Sequence, residues 1–155
     1  MAKTIYTKKT NTNKSAARLY AVQALFQMEA SQIPSKQIIS EFENFRIGKE
    51  IDGQKYPSAD LEVFHEIILK AVDAQGKIDK MTNSNLKETW QLKRIDPTLR
   101  ALFRASIAEL LIDKTPPKVI LNEFLDITKA FFPDGKEAKL VNAVLDKILK
   151  SLKYS

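Results

Sequence analysis

Residues 1–28 contain five basic side chains, Lys3, Lys8, Lys9, Lys14 and Arg18, and no acid precedes Glu29. Cations grouped in this way can neutralise phosphates and gain from the counterions released. The same charges could also serve only to solvate a tail. Charge alone leaves both readings open. No apolar periodicity appears before about Asn13, which predicts a mobile basic tail over 1–13 and a single domain over 14–155.

Other chemistry is poorly supplied. His65 is the only histidine and there is no cysteine, so a His/Cys zinc cluster, a disulfide framework and a thiolate nucleophile are excluded. The carboxylates are scattered, without a paired acid/base motif. Gly48, Gly53, Gly76 and Gly135 form neither a P-loop nor a dinucleotide fingerprint. The expectation is a binding protein with no cofactor and no metal rather than an enzyme. No apolar stretch is long enough to span a membrane and no secretory signal opens the chain, so the expected place is the cytoplasm.

The elements that would position the basic residues are helical. The spacing predicts a first helix over about Ser15 to Ala30, with Leu19, Val22, Leu25 and Phe26 along one side. Pro34 and Ser35 open a second, with Ile38, Ile39, Phe42 and Phe45 as its apolar face. Residues 48–57 read as a loop. Ser58 is the expected cap of a third helix whose face is Leu61, Phe64, Ile68 and Val72. Gly76 is the expected stop, with a weaker helix after it around Ile78 to Leu86.

Start signals are sharper in the second half. Asp96-Pro97 combines a side chain that caps free amides with a residue that has no N–H to leave unpaired. Leu99, Leu102, Phe103, Ile107, Leu110 and Leu111 follow at helical spacing. Thr115-Pro116 repeats the start, and Pro133 with Gly135 ends that helix. Leu140 to Leu152 forms the last. The fold class is all-α, with six or seven helices. Tyr20, Phe26, Phe103, Phe124 and Phe131 sit at helical positions and read as core. Trp90 reads either as a cap on the core or as a surface contact. Asn142 reads as a structural hydrogen-bonding residue.

Three segments in order resemble one family. AARLYAVQALFQMEASQ, RIDPTLRALFRASIAELL and the run from Thr115 to Leu149 are similar to the opening helix, the central helix and the C-terminal helix pair of the NusB antitermination factors. The likeness covers most of Lys14 to Leu149. It implies two small helical bundles packed at right angles and a function without catalysis. Proteins of this kind pair with NusE, a protein of the small ribosomal subunit. The pair binds single-stranded boxA RNA and helps the transcription elongation complex resist termination.

The resemblance also implies site residues. Lys14, Arg18, Arg104 and Lys139 fall at basic positions of the family and are the expected RNA contacts, with Lys8 and Lys9 adding charge further out. Ser15 and Ala16 stand where arginines are usual. A lysine lacks the planar fork that grips phosphate with two bonds. Phe26 stands where tyrosine is frequent, and Leu99 where relatives carry an acid near the NusE contact, so these two are the expected partner-binding residues. Leu140 replaces a frequent aromatic, and FPDGKEA holds an extra residue.

Function is expected to be RNA-binding antitermination with a NusE-like protein. The alternative is a protein-interaction module of the same fold with reduced or non-specific RNA binding. Some relatives form homodimers. A NusB-like domain also precedes the catalytic domain of some ribosomal RNA methyltransferases, but this chain has no room for a cofactor-binding domain.

Overall fold

The computed structural model describes residues 13–153. Residues 1–12 of the expected basic tail, with Lys3, Lys8 and Lys9, therefore lie outside the described residues, and its last residue, Asn13, begins the first helix. Seven α-helices, one short hairpin and two 3-10 turns make up the described chain, an all-α fold as the spacing predicts. No helix among the described residues is long and apolar enough to cross a membrane.

Helix α1 spans Asn13–Ser31 and is buried along most of its circumference. Ala16, Ala17, Ala21 and Ala24 are each no more than 2% exposed. Such small side chains let neighbouring backbones approach closely, and they favour helix. Gln32 then takes a left-handed φ of 54° and turns the chain out of the helix.

Helix α2 spans Ser35–Phe45 and buries Ile38 and Phe42, while Phe45 is 72% exposed rather than on the packed face. Residues 48–57 are not simply a loop. Strands β1 (Glu50–Ile51) and β2 (Gln54–Lys55) pair antiparallel, Glu50 opposite Lys55. Asp52 and Gly53 both have positive φ, 50° and 79°, as a tight two-residue hairpin turn demands. The Asp-Gly dipeptide is the signal that could have found it.

Helix α3 spans Leu61–Asp73. Asp60, not Ser58, caps it: its carboxylate accepts from the Val63 amide at 3.1 Å. The buried face is Phe64, Ile67, Ile68 and Ala71, whereas Leu61 and Val72 are exposed. Helix α4 spans Gln75–Asn83, so Gly76 lies inside it and the break falls at Ala74. The 3-10 turns Glu88–Trp90 and Leu92–Arg94 follow. Gln91 ties them to α4 by donating from Nε2 to the carbonyls of Asn83, Leu86 and Lys87.

Helix α5 spans Pro97–Ile112 and starts as its sequence predicts, with the Asp96 carboxylate accepting from the Thr98 amide at 2.7 Å. Helix α6 spans Pro117–Phe131. Pro116 occupies its cap position and no side chain caps it, so Thr115 does not act as the cap. Gly135, at φ 83°, precedes α7, Lys136–Lys153.

Helix α5 is the shared element. It packs against α1, α3, α4, α6 and α7, and α1 also touches α6. Tyr20, Phe64, Phe103 and Phe124 are fully buried at the centre. The Tyr20 hydroxyl donates to the Pro57 carbonyl at 2.7 Å, which satisfies its polar end inside the core. Tyr20, Phe42 and Phe64 make successive ring contacts that join the first three helices.

Candidate nucleic-acid and partner interface

The expected basic contacts have very different environments. Arg18, in the second turn of α1, is 3% exposed. Its Nε and Nη2 donate to the two carboxylate oxygens of Glu109 on α5, both at 2.8 Å. Its Nη1 donates to Glu123 on α6 at 2.5 Å, and the Ser15 hydroxyl reaches the same oxygen at 2.6 Å. One guanidinium thus binds three helices together. Burial acts to lower its pKa, but hydrogen bonding and Coulomb attraction from Glu109, then Glu123, outweigh burial and raise it above the usual arginine value. As placed, Arg18 is turned away from solvent and bonded to internal carboxylates, a correction to its expected role as a phosphate contact. The charge-balancing acids lie far along the chain, on helices that sequence spacing alone does not bring together.

Arg104 is also engaged. It grips Asp79 of α4 with two bonds, Nε at 3.0 Å and Nη2 at 2.8 Å, and approaches Glu29 at 3.7 Å. Glu29 pairs in turn with Arg100, whose Nη1 also donates to the Leu92 carbonyl at 2.6 Å. The result is a row of two arginines and two acids that fastens α1 and α4 to α5. Its formal charge cancels.

Lys14 is exposed in the first turn of α1. It lines a pocket of about 170 Å³ together with Asp60, Glu62, Glu66, Glu109 and Lys114. Acids of α3 therefore stand near the expected phosphate contact. Lys139 is exposed on the first turns of α7 and has no ion pair among the described residues. Leu140 beside it is half-buried against the core. Asn142 is solvent-exposed, a correction to its expected structural bonding.

The two expected partner residues also part company. Phe26 is 39% exposed. It lies in a groove of about 460 Å³ whose walls include Val22, Gln27, Thr98, Phe131 and Arg46. Leu99, in the first turn of α5, is 1% exposed and belongs to the core. Its side chain offers no surface to a partner, which corrects its expected role, while its neighbour Thr98 reaches the groove wall. Trp90 is partly buried and packs on the core, as one of its two readings has it, with Lys136 of α7 5.2 Å from its ring centre.

The groove beside Phe26 thus offers an exposed aromatic between α1, α5 and α6. No group of three or more metal-ligating side chains occurs among the described residues. The NusB family profile matches residues 15–150. The chain belongs to the NusB family. A transcription antitermination protein NusB of Sinorhizobium fredii is 46% identical over 146 residues, covering 94% of this chain and 91% of that protein. Among solved structures, NusB of T. maritima superposes with a TM-score of 0.72 at 28% identity, covering 90% of this chain and 92% of that one. A chain from a complex of the antitermination factors NusB and NusE with double-stranded RNA gives 0.72 at 24% identity, covering 88% and 96%, and shares the fold. This NusB-family chain keeps the helical scaffold of those proteins, and two of its expected RNA-contacting arginines are engaged within the chain, Arg18 in a buried ion pair and Arg104 in a partly exposed one.

Proposed function

We propose that this chain acts in transcription antitermination as the RNA-binding partner of a NusE-like ribosomal protein, on boxA-type single-stranded RNA in the cytoplasm. The observation that carries the reading is the match to an antitermination protein along nearly the whole chain. A solved complex of NusB and NusE with RNA, built on the same fold, supports the partner pairing. The reading assigns no catalytic step.

The NusE-like protein docks at the Phe26 groove, where α1, α5 and α6 meet and an aromatic face is offered to a partner. RNA is held by Lys14 and Lys139, with Lys8 and Lys9 adding long-range attraction. Arg18 and Arg104 contribute indirectly, Arg18 by holding α1 against α5 and Arg104 by holding α4 against it. Bases supply sequence preference once phosphates have set the register.

A fluorescence titration with a boxA-type RNA, with and without the partner, tests the reading. Binding tighter with the partner, and a preference over scrambled RNA at moderate salt, are the expected outcomes. Sequence-blind binding that salt abolishes in both conditions overturns it and leaves an interaction module of the same fold.

A further inference from the structure

A second basic groove lies between α4 and α7, formed by residues that have no part in the interface above. It holds about 260 Å³ and is lined by Lys77, Lys80, Met81, Ser84, Asn85, Ile148 and Ser151. Lys77, Lys80, Ser84 and Ser151 are exposed, and buried Ile148 forms the floor. Lys147 stands one turn before Ser151 and shares its side of α7. Neighbouring acids are already engaged: Asp79 holds Arg104, and Asp146 pairs with Lys150 at 3.0 Å. No carboxylate lines the groove, and Lys77, Lys80 and Lys147 have no ion pair among the described residues.

We propose that this groove binds the phosphate backbone of RNA flanking the boxA-type element, without reading its sequence. The inference rests on the RNA-binding reading above. Three features favour RNA over a protein partner. The cations are lysines, mobile point charges suited to a phosphate chain, whereas arginine forks suit carboxylates. Protein interfaces are enriched in aromatics and arginine and depleted in lysine, the reverse of this lining. With no aromatic in the groove there is no platform for base stacking, so the contact is to backbone alone.

The test uses the full chain with its NusE-like partner and four probes: the boxA-type element, the element extended by a uridine tract, the tract alone, and polyglutamate. Lys77→Gln/Lys80→Gln removes the charges at exposed helical positions and keeps good helix formers there. Wild type should bind the extended RNA more tightly than the element, with a steeper dependence of log affinity on log salt. The double variant should lose that increment, flattening the slope by about 1.4 at roughly 0.7 per phosphate, and bind the unextended element as wild type does. A wild type that gains nothing from the tract, or a variant that keeps the whole increment, overturns the proposal. So does loss of polyglutamate binding with the tract increment intact, which would mark an acidic protein site. Failure of the antitermination reading looks different: the element shows no preference over scrambled RNA, while the tract alone still reports on the groove.

Discussion

Arg18 and Glu109 face each other across the α1–α5 contact as a two-bond pair, Nε to Oε1 and Nη2 to Oε2, each 2.8 Å long and almost closed to water. Removing one partner of such a pair leaves a buried charge without compensation, which costs far more than the pair itself contributes. Arg18→Met should therefore destabilise the fold by about 3–5 kcal/mol, seen as a lower urea midpoint. Arg18→Met/Glu109→Met should recover much of the loss. A single variant as stable as wild type would refute the clamp.

The same pair predicts a pH response. The pKa of Arg18 is raised in the folded chain, so its contribution is complete below the ordinary arginine range and is lost only as pH rises through the raised value. The stability difference between wild type and Arg18→Met should not change between neutral and moderately alkaline pH. Chemical denaturation across that interval checks it.

Phe26 and Leu99 should separate cleanly. Leu99 is core, so Leu99→Ala should cost about 2–5 kcal/mol of stability and leave the partner affinity of the folded protein intact. Phe26→Ala, at an exposed groove position, should do the reverse: a small stability change with a clear loss of partner binding. Calorimetric titration with the partner, beside thermal melts, tells the two apart.

Lys139→Gln should flatten the salt dependence of RNA binding by about 0.7, one phosphate's share on a single strand. Its stability should stay within about 0.5 kcal/mol of wild type, as for other exposed positions without a special contact. An unchanged slope would remove Lys139 from the RNA contacts.

Asp60→Ala and Asp96→Ala should each cost about 1 kcal/mol, because each carboxylate accepts from a free amide at a helix start. Ser58→Ala should be close to neutral, since Ser58 lies before the cap. Thermal melts of the three variants rank them.

Much of this protein is written locally. The helices are legible because apolar spacing, Asp96-Pro97 and the alanines of α1 act within a turn or two of chain. The all-α class and the family follow from such short-range patterns. Where two local signals competed, only packing decided. Gly76 lost to a break at Ala74, Ser58 to Asp60, and the face of α3 turned to bury Ile67 and Ala71 in place of Leu61 and Val72. The fate of charged side chains was not legible at all. Arg18 and Arg104 look alike in sequence to any phosphate-binding arginine, and their acids come from Glu109, Glu123 and Asp79, on other helices. A charge is spent or free according to what stands within a few ångströms of it, and tertiary packing alone sets that distance. The sequence by itself determined the helices, their order and the family. The tertiary structure decided which cations are tied up inside and which still face a partner.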